Sequence, residues 1–574
     1  MKIILGVNSN HADSSACIIV NGKLVAALEE ERINRIKHFS GFPIESIKNC
    51  IKIAGIKDHE ITDIAFNTRP HSNLIPKGKF FLKNIFSKKD TYIKRIKKKF
   101  NLKLTTSKHF DFNKNLKFHF IEHHTAHIAS AYYPSNFKEA IGLSIDGSGD
   151  FVSLAVSKCK NNNIILNKKI YFPDSLGIFY HAMTQFLGFN KYGDEYKVMG
   201  MAAYGKPIYY EKLKKELFKF DGKGNFKLNL FYFNHHKPDF KYIADNNLVI
   251  DNIFNENLKK LFFETKKDLN NIDEFKKNLA SSVQKVYEFI FEFIINDIVD
   301  NNFSKNLVFA GGCGLNSSAN RIITNNKKYF DNVYIPFAPG DNGGALGAAF
   351  FVLAKYKKKL ENGRSPFLGF KYPDEYIINI LNNDIYKSKV KYKYFNNDNN
   401  LYKTASKLIS EGKVIGWFQN NMEFGPRALG NRSILADPRN PNMKDIINSK
   451  IKRRESFRPF APSVLAEHQN EWFSSKFISP YMSTVGEVRK NKIEFVPAIT
   501  HIDGTARFQS VDLETNNRFY RLINEFYKIT DVPIILNTSF NENEPIVMKP
   551  EEAIDCLLRT DMDAVFINNF IILK

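Results

Sequence analysis

The amino-terminal part of the chain alternates apolar runs with polar turns in a pattern that predicts a strand followed by a β-hairpin. Lys2–Val7 is the first apolar run, and the polar loop Asn8–Ser15 separates it from two more, Ala16–Val20 and Lys23–Leu28. The dipeptide Asn21-Gly22 joins these two runs, and Asn-Gly favours a tight hairpin turn because both residues tolerate positive φ angles. Three short strands are therefore expected in this part of the chain.

The same arrangement recurs further along the chain. Ala140–Ile145 is an apolar run that meets the loop Asp146–Asp150, and the strand-like runs Phe151–Ser157 and Ile164–Ile170 follow. Both times a strand delivers a short polar or glycine-bearing loop into a hairpin. Such a recurrence is what a duplicated nucleotide-binding fold would show.

Helical periodicity and glycine-rich loops alternate after this point. Apolar positions three and four residues apart predict helices over about Ser175–Phe189 and Asp273–Val299. A buried strand, Asn306–Ala310, then runs into a glycine-rich loop, and the loop Ala338–Ala345 opens a helix that continues through Ala354. Strands that alternate with helices in this way predict an α/β protein.

Three glycine-bearing loops are candidates for binding a nucleotide. The loops Asp146–Asp150, Gly311–Asn316 and Gly340–Gly344 each follow an apolar strand. Backbone N–H groups in such loops can bind phosphate, although each loop on its own is more often a plain turn. Three together favour a nucleotide cleft, and His11 and Asp13 are expected to face it as substrate-binding or base residues.

Length and composition indicate more than one domain. A chain of 574 residues exceeds what one hydrophobic core organises, and 43% hydrophobic residues are ample for globular packing. The composition weakens near Glu361–Pro366, and an asparagine-rich run occupies Asn396–Asn400. We therefore expect a first domain over residues 1–362, a linker over 363–396 and a second domain over 397–574.

The formal net charge of +23 changes this picture less than its size suggests. Lysine is frequent along the whole chain, so most of the charge is general composition, and no nucleic-acid partner is expected. The densest basic run, Lys77–Lys108, would suit a phosphate backbone or an anionic membrane surface, but a solvated helical insertion is the preferred interpretation.

Cysteine usage and apolar runs favour a cytoplasmic protein. The five cysteines are scattered without a CxxC pair, which indicates neither a disulfide framework nor a thiolate zinc site. The apolar run at the amino terminus is too short for a signal peptide. No membrane span is expected, because no apolar stretch approaches the roughly eighteen residues that a span requires.

Two histidines at helical spacing are the main candidates for binding a metal. His123 and His127 lie in EHHTAHIASAYY, which favours a helix, so the i, i+4 spacing puts both imidazoles on one face and leaves His124 pointing elsewhere. Two capping or core-edge histidines are the alternative. Asp146 and Asp341, each in a glycine-rich loop after a strand, would complete a mixed nitrogen and oxygen site. Such a donor set suits iron, manganese or zinc better than copper.

An arginine-rich block between residues 422 and 462 predicts an anion site. The segments MEFGPRALGNRSILADP and KRRESFRPFAP set Arg427, Arg432, Lys452 and Arg458 among glycines and prolines, which hold the charges on turns. Guanidinium groups fixed in this way bind phosphate or carboxylate through paired hydrogen bonds. Scattered surface salt bridges are the alternative. We predict a site for a polyphosphate or an acyl phosphate.

Four further residues are candidates for the same chemistry. Arg507 lies in HIDGTARFQSV, which resembles a ligand loop, although a surface cation would also fit. Asn537 and Ser539 end the apolar run of IILNTSF and would bond phosphate or ribose, or cap the next element. Lys37, in RINRIKHFSGFP, is either an anion contact or a solvated helix end.

Together and in this order, these motifs resemble the nodulation- and antibiotic-type O-carbamoyltransferase family. The matching segments span nearly the whole chain and include EHHTAHIASAYYPS, LSIDGSGD, FAGGCGLN, APGDNGGALGAA, FGPRALGNRSILADPR, RRESFRPFAP and LNTSFNENEPIV. The resemblance implies an actin-like ATPase fold, as in tRNA threonylcarbamoyl transferases, for the first domain, and a YrdC-like α/β fold for the second. Carbamoyl phosphate and ATP would give carbamoyl adenylate in the second domain. In the first domain, a hydroxyl of a small-molecule or glycan acceptor, such as a sugar or a secondary metabolite, would take the carbamoyl group.

The resemblance also implies roles for individual residues. Carbamoyl phosphate, ATP or the adenylate would contact residues of the second domain, with catalytic roles for two of them, Lys452 and Arg458; the full set is Arg427, Arg432, Lys452, Arg458, Arg507, Asn537 and Ser539. In the first domain the nucleotide would contact Lys37, Gly147, Gly312 and Asn316. A divalent metal, iron in this family, would be held by His123, His127, Asp146 and Asp341, and Mg²⁺ would accompany ATP.

The first loop is expected to handle the acceptor hydroxyl. His11 would receive its proton or hold the hydroxyl in place. The chain has HADSS where the family commonly has HDAS, so Asp13 is displaced by one position from the family pattern. Because of this departure, the family pattern gives a role for His11 but leaves the role of Asp13 open.

Two other functions stay open on the sequence. A fused threonylcarbamoyl-adenylate and tRNA-modifying enzyme would suit the charge of +23 and would bind tRNA with steep salt dependence. A non-enzymatic actin-like scaffold would assemble with nucleotide, although the arginine-rich second domain argues against it.

Overall fold

In the computed structural model the chain divides into two compact units, Met1–Arg364 and Ser365–Lys574. The structure describes residues 1–83, 98, 101–244, 246–263, 271–300, 303–325 and 328–574. Half of Lys77–Lys108, predicted to be a solvated helical insertion, lies outside the described residues. Both units combine helices with mixed sheets, which confirms the predicted α/β class. Within the described part of the chain, no helix has the length and apolarity that crossing a membrane requires.

The strands of unit 1 form two larger sheets and two short hairpins. Their bounds are β1 (Ile3–Asn8), β2 (Ser15–Val20), β3 (Lys23–Glu29), β4 (Asp63–Phe66), β5 (Lys117–Phe120), β6 (Glu139–Gly149), β7 (Val152–Lys160), β8 (Asn163–Tyr171), β9 (Phe218–Phe220), β10 (Phe226–Leu228), β11 (Tyr242–Ala244), β12 (Leu248–Ile250), β13 (Asn306–Ala310) and β14 (Asn332–Tyr334). The predicted hairpin β2–β3 turns at Asn21 and Gly22, with φ angles of 51° and 100°.

The two larger sheets of unit 1 share one topology. The first has the strand order β3-β2-β1-β4-β5 and the second the order β8-β7-β6-β13-β14. In each, the central strand (β1 or β6) pairs antiparallel with one neighbour and parallel with the other. The two outer strands continue the pattern: the one on the antiparallel side pairs antiparallel with its neighbour, and the one on the parallel side pairs parallel. The recurrence predicted from the sequence is therefore confirmed as a repeat of topology.

One predicted loop is instead the end of a strand. β6 continues to Gly149, beyond the predicted end at Ile145, and its pairing with β7 is interrupted between these two residues. An irregularity of this kind bends a strand and re-aims its side chains. It releases Asp146 from ladder pairing, so that its side chain is available to other partners.

The helices of unit 1 cover the sheets. Their bounds are α1 (Glu30–Asn34), α2 (Ile44–Ala54), α3 (Leu74–Lys83), α4 (Leu102–His109), α5 (His123–Ser135), α6 (Leu176–Phe186), α7 (Glu195–Ala202), α8 (Tyr210–Leu217), α9 (Glu256–Phe262), α10 (Ile272–Asp300), α11 (Ser317–Thr324) and α12 (Asn342–Lys355). α5 and α12 pack closely because Gly347 has no side chain: a Cβ there would lie 1.8 Å from the Ala126 carbonyl oxygen. This close approach brings the amino-terminal turns of the two helices together.

Unit 2 is built on an eight-stranded mixed sheet with the order β15-β24-β23-β16-β17-β22-β18-β21. The strand bounds are β15 (Lys391–Tyr394), β16 (Ile415–Phe418), β17 (Arg432–Ala436), β18 (Ala461–Leu465), β19 (Gly486–Glu487), β20 (Thr505–Ala506), β21 (Gln509–Val511), β22 (Ile534–Ser539), β23 (Ala564–Ile567) and β24 (Phe570–Leu573). The helices are α13 (Asp374–Leu381), α14 (Asp384–Lys387), α15 (Asp398–Ser410), α16 (Met443–Ile447), α17 (Gln469–Trp472), α18 (Asn517–Thr530) and α19 (Pro550–Arg559).

The segment 363–396, expected to be a linker, contributes mainly to unit 2. It carries α13, α14 and the edge strand β15, and it buries Ile377 and Leu381 in the core of that unit. Asn397, in the asparagine-rich run that suggested a linker, is a helix cap: its side chain accepts a hydrogen bond at the start of α15, as that of Asn383 does at the start of α14. Asparagine is favoured at this position because its side chain satisfies a free backbone N–H.

Asp63 stabilises unit 1 in a pH-dependent way. Burial alone would raise the pKa of its carboxyl group, but hydrogen bonds from Lys2, Tyr356, Thr62 and His119 lower it to about 2. Because the pKa is lower in the folded state, the network stabilises the fold above about pH 4, by up to about 2 kcal/mol, and this is lost as the pH falls through about 2. Asp63→Asn should lower the melting temperature of unit 1 at pH 7 by roughly 3 °C.

Differential scanning calorimetry at several pH values tests this expectation, with Asp111→Asn, an exposed carboxylate of the same unit, as the control. The difference between parent and Asp63→Asn should narrow below about pH 4. Equal melting temperatures of the two proteins at pH 7 would contradict it.

Candidate metal centre and candidate anion site

Two histidines and two aspartates of unit 1 converge on one point. One ligand atom from each of His123, His127, Asp146 and Asp341 lies within 4.8 Å of the others. The Nε2 atoms of the two histidines are 3.0 Å apart, and Asp341 Oδ1 lies 3.4 Å from both of them. Asp146 Oδ2 lies 3.3 Å from His123 Nε2. All four residues are buried, so four donor atoms of two kinds surround a common, enclosed centre.

Local structure holds each of these side chains in place. α5 begins at His123, where the Glu122 carboxylate accepts a hydrogen bond of 2.8 Å from the Thr125 N–H. Both histidines therefore lie on one face of the first turns of a helix. Asp146 accepts a hydrogen bond of 2.9 Å from the Gly312 N–H. Asp341 stands at the amino-terminal end of α12, which the packing of α12 on α5 brings close.

Asp150 supports the centre, although its role was not predicted. Its Oδ2 accepts hydrogen bonds from the backbone N–H of His123, at 3.1 Å, and of Arg69, at 2.7 Å. A carboxylate at this position satisfies a free N–H and is favoured by the helix dipole. The only signal in the sequence was its place in the loop Asp146–Asp150 after a strand.

The charges at the centre oppose and balance one another. Burial alone would lower the pKa of His123, but Asp146 and Asp341 raise it to about 9. Burial raises the pKa of Asp341, and the charge of Asp146 adds to this effect. The nearby histidines, against the effect of burial, hold the pKa of Asp146 below its usual range. Two buried carboxylates with two imidazoles fit a divalent cation that takes nitrogen and oxygen ligands.

His124 is not part of this centre, which confirms the prediction that it points elsewhere. Its Nδ1 lies 2.8 Å from Ser144 Oγ and its Nε2 lies 2.9 Å from the Val152 carbonyl oxygen. Burial, together with His123 and His127, lowers its pKa to about 3. It is a neutral core histidine.

His11 and Asp13 lie in different surroundings. The ring of His11 stacks on that of His123 with 4.8 Å between centroids, which places His11 beside the four candidate ligands. Asp13, at a φ angle of 54°, instead pairs with His38: their Oδ1 and Nδ1 atoms are 2.7 Å apart. Burial alone would lower the pKa of His38, but Asp13 and Glu31 raise it to about 9. Asp13 therefore belongs to an ion pair that the sequence did not predict, and the neighbouring Lys37 is exposed.

Of the four residues predicted to contact a nucleotide in unit 1, Gly312 and Asn316 make hydrogen bonds within the protein. The Gly312 N–H is used by Asp146. The Asn316 side chain accepts from the Ala319 N–H at the start of α11 and pairs with Gln284 at 3.1 Å. A Cβ at Gly147 would meet nothing within 4 Å, so space is open beside it. Gly312 and Asn316 thus stabilise the loops around the site through hydrogen bonds within the protein, whereas Gly147 lies beside open space.

The arginines of unit 2 form a group of like charges around Arg507. Burial lowers the pKa of the Arg507 guanidinium well below its usual range, and Arg427, Arg454 and Arg458 lower it further. The Nε atom of Arg507 is buried and has no hydrogen-bond partner among the described residues. Like charges held together in this way suit an anion, because each additional positive charge strengthens its binding.

Lys452 and Arg432 donate their hydrogen bonds to oxygen atoms of the protein itself. The Lys452 Nζ donates to the carbonyl oxygens of Ser539 and Asn541, both at 2.6 Å, and to the Asn541 side chain at 2.8 Å. Arg432 is fully buried, donates to the carbonyl oxygens of Gln419, Asn420, Asn431 and Phe370, and stacks on Phe418 at 3.5 Å. The donors predicted to bind ligand are therefore occupied at these two positions, where they fix the loops that carry the other arginines.

Asn537 and Ser539 lie on β22, two residues apart and so on one face of the strand. Ser539 Oγ donates to the Asn541 side chain at 2.8 Å. The Asn537 Nδ2 donates to three oxygens, whereas its Oδ1 is buried and has no partner among the described residues. Asn537 thus presents an unsatisfied acceptor.

Comparison with known proteins gives the family. Residues 3–350 match the family described as Carbamoyltransferase N-terminus, and residues 406–574 match Carbamoyltransferase C-terminus. The chain belongs to the carbamoyltransferase family. It is an enzyme that transfers carbamoyl groups, and this assignment favours neither the tRNA-modifying enzyme nor the non-enzymatic scaffold.

Relatives of this carbamoyltransferase cover it from end to end. Uncharacterized protein sll1178 of Synechocystis is 36% identical over 100% of this chain and 97% of its own. Nodulation protein NolNO of Sinorhizobium fredii is 32% identical over 98% of this chain and 79% of its own. Among solved structures, component A of the Acidaminococcus fermentans (R)-2-hydroxyglutaryl-CoA dehydratase matches with a TM-score of 0.33 and 14% identity, over 62% of this chain and 100% of that one. A likeness at this level does not establish a shared fold.

Gly149 should be essential for metal binding at the candidate metal centre. A Cβ at this position would lie 2.0–2.4 Å from atoms of the His123 ring, so Gly149→Ala must displace that ligand. Displacing one ligand should lower metal affinity at least about tenfold to a hundredfold. Metal content after reconstitution with Fe²⁺ measures the effect. Gly147→Ala, where a Cβ meets open space, is the matched control and should keep the metal; equal metal content in both variants would contradict the expectation.

Proposed function

We propose that this carbamoyltransferase makes carbamoyl adenylate from carbamoyl phosphate and ATP in unit 2 and passes the carbamoyl group to an acceptor hydroxyl at the metal centre of unit 1. The observation that carries the proposal is the group of arginines around Arg507: its Nε atom is buried without a hydrogen-bond partner among the described residues, and burial together with Arg427, Arg454 and Arg458 lowers its pKa. Carbamoyl phosphate and ATP both bring phosphates that such a group binds.

The first half-reaction balances as follows. Water releases phosphate from carbamoyl phosphate and leaves carbamate. A carbamate oxygen then attacks the α-phosphorus of ATP, and the bond between the α-phosphorus and the bridging oxygen breaks to release pyrophosphate. Charge accumulates on phosphate oxygens in both steps, and fixed guanidinium groups stabilise it more than mobile surface cations would. Arg507, Arg458 and Arg427 are assigned to this work, and Lys452 and Arg432 to holding their loops.

In the second half-reaction, the acceptor oxygen attacks the carbonyl carbon of the adenylate. A carbon–oxygen bond forms, the carbon–oxygen bond to AMP breaks, and the hydroxyl proton leaves to a base. His123, His127, Asp146 and Asp341 would hold a divalent metal, for which we propose Fe²⁺. A bound metal supplies Lewis acidity and a fixed point for a phosphoryl or carbonyl oxygen. His11, stacked on His123, is placed to accept the proton of the hydroxyl or to hold it.

The folds that we propose for the two units match these roles. The repeated sheet topology of unit 1 supports an actin-like ATPase fold, in which a nucleotide binds between two related halves. Unit 2 is proposed to be YrdC-like, with Mg²⁺ accompanying ATP. The acceptor is proposed to be a sugar hydroxyl or that of another small molecule or glycan.

Pyrophosphate release tests the proposal without knowledge of the acceptor. The purified chain, loaded with Fe²⁺ and supplied with Mg²⁺ and ATP, should release pyrophosphate when carbamoyl phosphate is added and not without it. Release that is independent of carbamoyl phosphate, or no release under either condition, would refute adenylate synthesis.

A further inference from the structure

A chain of buried amides in unit 2 fixes which way the Asn537 side chain faces. Gln509 and Ser463 are register partners on the parallel strands β21 and β18, and Asn537 lies on the neighbouring strand β22. All three residues are at most 4% exposed. Because they are shielded from water, their hydrogen bonds decide the orientation of each amide.

The order begins at a backbone carbonyl. The Leu429 carbonyl oxygen can only accept, so the Gln509 end that meets it, at 3.0 Å, is Nε2. Gln509 Oε1 then accepts from Ser463 Oγ, at 2.7 Å, and from Asn537 Nδ2, at 3.3 Å. Asn537 Nδ2 also donates to the Ala428 carbonyl oxygen, at 3.2 Å.

A flipped Asn537 amide would be unfavourable. It would place Oδ1 against the oxygens of Ala428 and Gln509, with no hydrogen between them. The third neighbour, the Ser463 hydroxyl, donates its one hydrogen to Gln509 Oε1. The observed orientation instead leaves Oδ1 buried with no donor among the described residues. A buried acceptor without a donor is unfavourable unless a ligand supplies one.

The carbamoyl group carries such a donor. We propose that Asn537 Oδ1 accepts a hydrogen bond from the amide NH₂ of carbamoyl phosphate, and that Gln509 is the positioning residue that holds Oδ1 toward it. This inference rests on the proposed function and adds a reason why the site selects carbamoyl phosphate over other acyl phosphates. Acetyl phosphate has nearly the same shape and charge but presents a methyl group, which would leave Oδ1 unsatisfied.

The neighbouring residues agree with this placement. Ala428 and Leu429, whose carbonyls orient the amides, follow Arg427 directly in the chain. Gln509 lies two residues after Arg507, and Ser539 lies two residues after Asn537. The strands and loop that hold the amide chain thus also carry the residues assigned to the phosphate, so one ligand can meet both.

Selectivity between two acyl phosphates tests the inference. The constants to compare are the KM of carbamoyl phosphate in pyrophosphate release and the Ki of acetyl phosphate as its competitor. In the parent, Ki should exceed KM by about 100-fold or more, because a site built for an N–H rejects an analogue without one. Gln509→Met, which keeps the length but removes the amide, should lower this ratio by about tenfold. Asn537→Ala should bring the ratio close to one.

Ser539→Ala is the control, because this residue lies two positions along the same strand and its hydroxyl donates to Asn541 rather than to the amide chain; the substitution should change both constants alike and leave their ratio. A parent ratio below about three would overturn the inference, as would parent-like ratios in both Gln509→Met and Asn537→Ala. Calorimetric binding of carbamoyl phosphate and acetyl phosphate measures the same selectivity without catalysis. Absence of pyrophosphate release would thus refute the proposed function, while the binding ratio would still decide the inference. If one variant fails to fold, the ratio in the other decides.

Discussion

Replacing Arg507 by alanine should lower carbamoyl-phosphate-dependent pyrophosphate release by about 100- to 1,000-fold in kcat/KM. The Nε atom of Arg507 is buried without a hydrogen-bond partner among the described residues, and Arg427, Arg454 and Arg458 add to the burial that lowers its pKa. A cation in this position gains little from the protein alone, so its charge is available to the anion. Steady-state release of pyrophosphate at several carbamoyl phosphate concentrations measures the loss.

Arg521→Ala is the matched control for Arg507→Ala. Arg521 is an exposed arginine of the same unit, and its Nε donates to Asn517. Its removal should leave pyrophosphate release unchanged. Parent-like release in Arg507→Ala would contradict the assignment of this arginine to the phosphates.

Anion binding should also stabilise the parent more than the Arg507→Ala variant. The parent should melt at a higher temperature with saturating pyrophosphate, since a ligand at 100 times its Kd adds about 2.7 kcal/mol to the free energy of unfolding. Arg507→Ala should gain less than the parent, while without anion its melting temperature should fall little, because the substitution relieves repulsion between like charges. A large loss of stability without anion would mean that Arg507 supports the fold.

Local signals in the sequence predicted individual helices and strands better than the boundary between the two domains. The Asn-Gly hairpin and the helices around His123 and over Asp273–Val299 are present, since turn chemistry and periodicity act over a few residues. The asparagine-rich run near residue 396 predicts a linker, yet Asn397 is a helix cap. Helix caps and linkers are both rich in asparagine, so composition does not distinguish them. The burial of Ile377 in the core of unit 2 shows that the predicted linker is part of that unit.

The candidate site shows the same division. Spacing alone put His123 and His127 on one face, but it could not show that Asp341, more than two hundred residues away, meets them through the packing of α12 on α5. Charge pattern predicted the arginine block but did not separate Arg432, which holds backbone carbonyls, from Arg507, which has cations as neighbours. The Asp13–His38 pair and the Gln509 amide chain gave no local signal, because their partners come from different elements.

His127→Ala should have the opposite effect to Arg507→Ala: it should abolish metal binding and leave carbamoyl-phosphate-dependent pyrophosphate release within about twofold of the parent. His127 Nε2 lies 3.0 Å from His123 Nε2 and 3.4 Å from Asp341 Oδ1, so its loss removes one of four converging ligand atoms. After reconstitution with Fe²⁺ and desalting, the parent should hold about one metal ion per chain and the variant less than about a tenth of one. His59→Ala, an exposed histidine of the same unit, should retain the metal.

The two variants together distinguish a divided enzyme from a single site. If adenylate synthesis belongs to unit 2, its rate cannot depend on a ligand set in unit 1, and only the transfer step should need the metal. Loss of pyrophosphate release in a folded His127→Ala protein would therefore contradict the division of labour, even with metal binding lost as expected. Loss of metal in Arg507→Ala would contradict it from the other side. The expected pattern, one activity lost in each variant and the other kept, requires two chemically separate sites in this carbamoyltransferase.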